Sequence, residues 1–337
     1  AATLCRVLEA FPGAQVVWGS ANPGVATVDQ TGLVTAGLIG GTTTVVASYL
    51  GATASVVVTV SPPPTMVEKI AYTGLSTLSN WDIFLMNPDG SGVVNLTDDA
   101  IIDGDPAISP DGQRIAFRRG EGGGLWDIWV MNIDGTNAVG LTSVGGNNCP
   151  AWSPDGTRIA FVSDRDGNRE LYVMNADGTN QIRLINDADL DLCASWSPDG
   201  TQLAFIRAPG GLGGDIYTIN ADGTGLASVT AGPWFSLVRW SPDGGRFAAS
   251  SITDPTLTAG LNVMNADGSG QQVLVDRAGV NIIGVSWSPD GTRIAFGRQG
   301  IWVVNDDGTG LTQIAASKEW PSWGLVPTSA LPAAPGP

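Results

Sequence analysis

Apolar residues occur in short runs along this chain, and Gly, Pro, Asn or Asp interrupts them about every ten residues. No apolar spacing of three to four residues, which would indicate a helix, persists over a long segment. In "RIAF" and "LYVM" the alternation of apolar and polar positions is loose, as expected for strands that are covered on both faces. The pattern predicts an all-β chain built from many short strands.

Two tetrapeptide motifs recur in one register. Ser-Pro-Asp-Gly begins at Ser109, Ser153, Ser197, Ser241 and Ser288. Asn-x-Asp-Gly begins at Asn87, Asn132, Asn175, Asn220, Asn265 and Asn305. Both motifs suit tight hairpin turns, because Pro restricts φ and Gly accepts a positive φ. A unit of about 44 residues with four predicted strands is typical of a β-propeller blade.

The first unit contains only three predicted strands, "KIAYTG", "WDIFLMN" and "GVVNL", and lacks the innermost one. "PSWGL" at 321–325 matches that innermost strand, so the end of the chain supplies it. We therefore predict a six-bladed β-propeller closed by the carboxyl-terminal strand, which removes two open sheet edges. The tryptophans that repeat in register are expected to pack between blades: Trp152, Trp196, Trp240, Trp287 and Trp323.

The repeat "WSPDGTRIAFVSDRDGNRELYVMNADGTNQIRL" resembles the WD40-like (PD40) repeats of TolB-type six-bladed propellers. The resemblance covers about residues 66–325 and departs from TolB in lacking its amino-terminal α/β domain. It implies a periplasmic protein that docks on partners.

Residues 1–60 resemble the group 2 bacterial immunoglobulin-like domain (Big_2) through "NPGVATVD", "GLVTA" and "VTV". The expected fold is an Ig-like β-sandwich whose first strand precedes Ala1 or is missing, with Cys5 as a free buried thiol. Residues 61–65, "SPPPT", form a predicted Pro-rich linker. Residues 326–337 form a Pro/Ala-rich tail, of which we expect only a partner to order residues 328–337, "TSALPAAPGP". The start at Ala1 fits either a removed signal peptide or a truncated chain, and the resemblances imply a periplasmic or other extracytoplasmic location.

Charge and composition narrow the function. With 16 basic and 32 acidic residues the net charge is −16, which disfavours nucleic-acid binding. The chain contains no histidine, so it cannot form Ser–His or Cys–His nucleophile pairs or imidazole metal sites. No apolar stretch has the roughly 18 residues that a membrane span needs. We predict no enzyme activity, no catalytic residue and no cofactor.

Two places on the inner strands combine unusual residues. Cys149 and Cys193 occupy equivalent positions in adjacent blades; we expect free thiols, since such strands should lie beyond the roughly 7 Å Cα separation that a disulfide tolerates. A disulfide is the alternative. Asp105, Arg239 and Trp320 are expected at the channel mouth, where Arg239 either binds an anion or, as we favour, forms an ion pair with Asp105.

The connections between the second and third strands, and between successive blades, vary widely and are expected on one face, where specific function should lie. Six apolar residues there are predicted to contact a protein partner with a basic border. They are Ile101, Ile102, Leu190, Leu192, Trp234 and Phe235. Asp187, Asp189 and Asp191 offer a calcium option, but the loop lacks the EF-hand Gly and Glu, so we predict a solvated acidic loop and no metal.

The favoured function is a non-catalytic scaffold of the bacterial cell envelope. It would be a membrane-extrinsic subunit that docks on a larger complex, such as a respiratory or photosynthetic one. The alternative is a surface adhesin or glycan binder. A hydrolase or lyase, which accompanies some propellers of this type, ranks third because the chain lacks histidine.

Overall fold

The computed structural model describes residues 16–36, 40–61, 64–76, 80–120, 125–209, 213–231, 234–253, 258–278, 282–316 and 318–332. The chain forms two compact units, Ala1–Thr65 and Met66–Pro337. Strands dominate both units, which confirms the all-β prediction. Cys5, the predicted free thiol, lies outside the described residues.

The smaller unit contains a three-stranded antiparallel sheet and a separate hairpin. The sheet order is β1 (Val17–Ser20), β4 (Gly41–Tyr49), β5 (Ala52–Val60), and the hairpin pairs β2 (Ala26–Val28) with β3 (Val34–Ala36). On β5, Val56 and Val58 pack against the small core while Val57 between them is exposed. This alternation is what a strand with one covered face requires.

In the described part of the larger unit the strands form six four-stranded antiparallel sheets, I to VI. Sheet I contains β29 (Lys318–Pro327), β6 (Met66–Leu75), β7 (Trp81–Met86) and β8 (Val94–Asn95). Sheet II contains β9 (Ile102–Ile108), β10 (Arg114–Gly120), β11 (Asp127–Asn132) and β12 (Val139–Gly140). Sheet III contains β13 (Asn147–Trp152), β14 (Arg158–Ser163), β15 (Glu170–Asn175) and β16 (Ile182–Arg183).

The last three sheets follow the same order of strands. Sheet IV contains β17 (Leu190–Trp196), β18 (Gln202–Ala208), β19 (Asp215–Asn220) and β20 (Ala227–Ser228). Sheet V contains β21 (Trp234–Trp240), β22 (Arg246–Thr253), β23 (Thr258–Asn265) and β24 (Gln272–Ala278). Sheet VI contains β25 (Ile283–Trp287), β26 (Arg293–Gly297), β27 (Gly300–Asn305) and β28 (Thr312–Ala316).

Sheet I joins the two ends of the larger unit. β29 pairs antiparallel with β6, with Trp323 opposite Ile70, as "PSWGL" predicts. Val326 is fully buried, and Leu331 packs against the core between sheets I and II, next to a short 3-10 helix at Thr328–Ala330. The expectation that only a partner would order residues 328–337 is therefore wrong for residues 328–332, because Ala330 and Leu331 pack against that core. Residues 333–337 lie outside the described residues.

Apolar clusters lie between successive sheets, which explains the loose alternation along the strands. Clusters join sheet I to II, II to III, III to IV, IV to V and V to VI. A further cluster packs Ile70 and Tyr72 of sheet I against Ala295 and Val303 of sheet VI. Each sheet thus buries both faces against neighbours, so both sets of side chains along its strands are apolar.

The Ser-Pro-Asp-Gly turns are held by their own side chains. Ser153 Oγ donates a hydrogen bond to Asp155 Oδ1 at 2.6 Å, and the Thr157 amide donates to the same oxygen at 3.0 Å. Both bonds lower the pKa of Asp155, and the bond from Ser153 has the larger effect. Gly156 has a φ of 68°, which disfavours a side chain there. The repetition of the motif is therefore explained by turn geometry.

Candidate functional site

The innermost strand of every sheet is irregular at the same level. Register shifts interrupt the pairing of β9, β13, β17, β21, β25 and β29 with their neighbours. At this level Asp105, Cys149 and Trp320 have φ values of 53°, 54° and 51°, and Gly284 has 71°. A left-handed conformation costs a non-glycine residue roughly 1–2 kcal/mol. Because such outliers cluster at ligand clamps and other functional sites, this level of the inner strands is a candidate functional site.

These residues line a cavity of about 410 Å³ to which the inner strands of all six sheets contribute. The cavity extends from the irregular level to the prolines of the Ser-Pro-Asp-Gly turns, which are Pro110, Pro154, Pro198, Pro242 and Pro289. Asp105, Arg239 and Trp320, which the sequence predicts at the channel mouth, all line it. The structure therefore brings these three predicted residues together in one site.

Cys149 and Cys193 form a disulfide that joins β13 of sheet III to β17 of sheet IV, so the prediction of free thiols is wrong. Their Cα atoms are 5.1 Å apart, within the range that a disulfide requires. The reason is the irregularity of β13: the left-handed conformation of Cys149 displaces its backbone from the regular strand path. The bond ties two neighbouring sheets together at the irregular level of the cavity wall.

Asp105 is a buried carboxylate with incomplete pairing. Its side chain is 4% exposed, and Oδ2 lies 3.3 Å from Arg118 Nε and 3.4 Å from the Cys149 amide that donates to it. Oδ1 accepts no hydrogen bond from the described residues. Burial raises the pKa of Asp105, and the positive charge of Arg118 opposes that rise.

Arg239 forms no ion pair with the described residues, so the favoured prediction of an ion pair with Asp105 is wrong. Its Nη1 donates to the carbonyl oxygens of Val238 and Ala194, at 2.9 and 3.4 Å. Burial lowers the pKa of Arg239 to about 10, while the more distant charge of Asp105 raises it. Asp105 lies on β9 of sheet II and Arg239 on β21 of sheet V, which are not neighbouring sheets.

The predicted calcium option does not form one converging site. Arg207 forms ion pairs with Asp187 and Asp189, the latter at 3.0 Å. Asp191 is instead fully buried beside Glu170. Its pKa is raised to about 8, mainly because it is buried and further because of the negative charge of Glu170. In the part of the chain that the structure describes, no group of three or more acidic or thiol side chains is placed to hold a metal ion.

The predicted partner-binding residues do not form one exposed patch. Phe235 is fully buried in the core between sheets IV and V, and Leu192 packs against that core, so their assignment to an exposed contact is wrong. Both lie on inner strands, where alternate side chains face a neighbouring sheet. Three other predicted contact residues are half-buried. Ile102 and Leu190 are the first residues of inner strands, and Ile101 immediately precedes Ile102. Trp234 begins β21, and its side chain falls outside the described residues.

The sequence did not predict two exposed apolar residues of the variable connections as contact residues. Leu125, just before β11, is 74% exposed, and Val144, between β12 and β13, is 60% exposed. Asn147 Nδ2 donates to the carbonyl oxygens of Val144 and Trp126, at 3.0 and 3.1 Å, and so holds the two connections together. The sequence carries no signal for this pair beyond two isolated apolar residues in loops. We call Leu125 and Val144 the apolar pair.

Among the described residues, no helix is long and apolar enough to cross a membrane. A search of curated protein sequences found no match. Among solved structures, TolB from Acinetobacter baumannii is similar with a TM-score of 0.67 and 18% identity, covering 93% of this chain and 83% of TolB. A chain of a nidogen/laminin complex is similar with a TM-score of 0.61 and 10% identity, covering 77% of this chain and 98% of that one.

An oligogalacturonate lyase in complex with manganese is also similar, with a TM-score of 0.52 and 13% identity, covering 90% of this chain and 86% of the lyase. At these identities the similarity concerns the fold. The PD40 family, described as the TolB beta propeller domain, matches residues 141–325, which is more than half of the chain. The repeated sheets and turns described above lie within and beyond that match. The chain belongs to the PD40 family of TolB-type β-propellers.

Proposed function

We propose that this chain is a non-catalytic, protein-binding scaffold of the bacterial cell envelope that docks on a larger complex. In this proposal the six sheets are the blades of a closed ring, and the smaller unit is an immunoglobulin-like module. Membership of the TolB-type family supports a protein-binding role in the envelope. The Cys149–Cys193 disulfide supports an extracytoplasmic location, because disulfides persist in oxidising compartments.

The observation that carries the binding role is the apolar pair. Leu125 and Val144 expose large apolar side chains on the face of the variable connections, and Asn147 links the backbone of Val144 to that of Trp126, the residue after Leu125. Aliphatic side chains held in place at low entropic cost favour contact with a protein over contact with a sugar. The net charge of −16 suits a partner whose border is basic.

A role as a lyase or hydrolase has less support. On the variable face two described arginines each pair with two carboxylates: Arg119 binds Asp99 and Asp103, and Arg207 binds Asp187 and Asp189. Carboxylates that accept hydrogen bonds from an arginine in this way are poorly placed to exchange protons with a substrate. The similarity to the oligogalacturonate lyase, at 13% identity, concerns the fold alone.

The test is affinity capture from bacterial envelope extracts with chemical cross-linking, comparing wild type with the double variant Leu125→Glu, Val144→Glu. We expect wild type to recover a defined set of envelope subunits and the double variant to lose them while keeping its melting temperature. The matched control is Val139→Glu with Val273→Glu, which alters two exposed valines on the outermost strands β12 and β24. Equal recovery by wild type and both variants contradicts the proposal, and so does turnover of oligogalacturonate.

A further inference from the structure

The cavity holds one positive and one negative side chain on walls that are far apart in the order of the sheets. Asp105 is on β9 of sheet II and Arg239 on β21 of sheet V, three sheets further along the chain. Because each sheet packs against the next, residues three sheets apart in a set of six lie on opposing walls of the cavity that all six line. The two charges therefore face each other without touching.

All other described residues that line the cavity are uncharged. The walls are formed by small residues such as Ala194 and Gly284, by the ring of prolines, by Trp240 and Trp320, and by six serines: Ser109, Ser195, Ser197, Ser241, Ser286 and Ser322. A ligand in this cavity thus meets one cation, one carboxylate and a wall of apolar groups and serines. Sites of a few hundred cubic ångströms with a few well-placed polar groups are typical of small-molecule binding.

The protein pairs both charges incompletely. Among the described residues, Asp105 Oδ2 is paired with Arg118 while Oδ1 accepts no hydrogen bond, and the guanidinium of Arg239 donates through Nη1 alone, to carbonyl oxygens. Arg239 is half-buried and lines the cavity, where an opposite charge on a ligand would be attracted more strongly than in water. The raised pKa of Asp105 and the lowered pKa of Arg239 both have burial as their first cause, as incomplete pairing predicts.

The geometry points to a small zwitterion of the amino-acid type as the ligand of this cavity, with its carboxylate on Arg239 and its ammonium group on Asp105. Arg presents a planar set of donors that matches a carboxylate, and an ammonium group is attracted by the negative charge of Asp105. The cavity volume of about 410 Å³ accepts a free amino acid or a dipeptide. This inference goes beyond the proposed scaffold function, since it concerns the cavity and leaves the apolar pair aside.

The experiment screens the twenty free amino acids and a set of unblocked dipeptides at millimolar concentration by ligand-observed NMR, then measures the binders by calorimetry. Each binder is compared with its deaminated acid and its decarboxylated amine. We expect at least one zwitterion to bind at least tenfold more tightly than either analogue, because each analogue leaves one buried charge without a partner.

Two variants assign the contacts. Arg239→Gln should weaken the zwitterion at least tenfold; Asp105→Asn should do the same but leave the binding of the deaminated acid unchanged. Asn is chosen because it tolerates the left-handed conformation at position 105. Arg246→Gln, which removes an equal charge from an arginine paired with Asp306 outside the cavity lining, should leave binding unchanged.

Melting curves show whether each variant folds, and a folded Arg239→Met variant, which also removes the charge, replaces Arg239→Gln if the latter does not. The inference is overturned if no zwitterion in the screen binds, if the deaminated acid binds as tightly as its amino acid, or if the two cavity variants bind as wild type does. Failure of envelope capture would leave these outcomes unaffected, so the two proposals are tested separately.

Discussion

Sheet IV meets its two neighbours in different ways. At the III–IV junction the Trp196 indole donates to the Ala151 carbonyl at 3.1 Å, and the guanidinium carbon of Arg158 lies 4.5 Å from the centre of its ring. At the IV–V junction Gln202 occupies the position of that arginine, and Trp240 Nε1 is buried with no hydrogen-bond partner among the residues that the structure describes. The Trp240 ring packs instead on Phe247 of its own sheet, with centroids 4.3 Å apart.

The difference continues into the cavity wall. The III–IV junction carries the disulfide, whereas Leu237 of sheet V stands at the position equivalent to Cys193 and is buried in the core. Next to it, Arg239 replaces the small residue of the other sheets and reaches the cavity. The III–IV junction therefore keeps the packing that the repeat predicts. The IV–V junction lacks part of that packing, and it is the junction next to which the cavity carries its positive charge.

The largest expected effect is on the disulfide of the III–IV junction. The double variant Cys149→Ala, Cys193→Ala should lose up to about 4 kcal/mol of unfolding free energy, the entropic value for a loop of 44 residues. Urea unfolding measures the loss. A reducing agent should destabilise wild type and leave the double variant unaffected, and equal stability of the two proteins without reductant would contradict the prediction.

The next effect is a pH dependence of the same junction, where Asp191 of sheet IV is buried beside Glu170 of sheet III. The folded pKa of Asp191, about 8, lies above its unfolded value, which is near 4. The contribution of Asp191 to stability is therefore complete below the unfolded pKa and is lost as the pH rises through 8. Asp191→Asn cannot lose a proton. Melting temperatures between pH 5 and pH 9 should therefore show wild type losing stability relative to this variant.

The control for that slope is Asp177→Asn, in an Asn-x-Asp-Gly turn. The hydrogen bond from Thr179 lowers the pKa of Asp177, so its contribution is present above the unfolded pKa and is lost as the pH falls through the folded value. The difference between wild type and Asp177→Asn should shrink in acid and stay constant between pH 5 and pH 9. Parallel slopes for both variants would refute the assignment to Asp191.

The smallest effect separates the two tryptophans. Trp196→Phe should lose about 1–3 kcal/mol, since it removes the bond to Ala151 and weakens the contact with Arg158. Trp240→Phe should cost less than about 1 kcal/mol or stabilise the protein, because it removes a buried N–H that has no partner. Thermal and urea unfolding of the two variants give the comparison. Equal losses would show that the junctions do not differ.

Local patterns were sufficient to predict much of the fold. The spacing of Ser-Pro-Asp-Gly and Asn-x-Asp-Gly, with apolar runs between them, predicted the four-stranded units, because turn residues and strand residues act over a few positions. "PSWGL" predicted the pairing of β29 with β6, since a repeat that is split between the two ends remains visible as a repeat. The site was predicted in part: Asp105, Arg239 and Trp320 do line one cavity.

The remaining features depend on how the sheets pack. Whether Phe235 faces solvent or the next sheet, and whether Cys149 reaches Cys193, follow from strand irregularities that no local pattern marks. The sequence by itself determined the strands, the turns and the partner of the last strand, because these rest on short-range conformational preference and on repetition. Only the tertiary structure decided that Asp105 and Arg239 line one cavity without forming an ion pair with each other. The physical reason is that the packing of all six sheets sets the positions of the inner strands that carry these two residues.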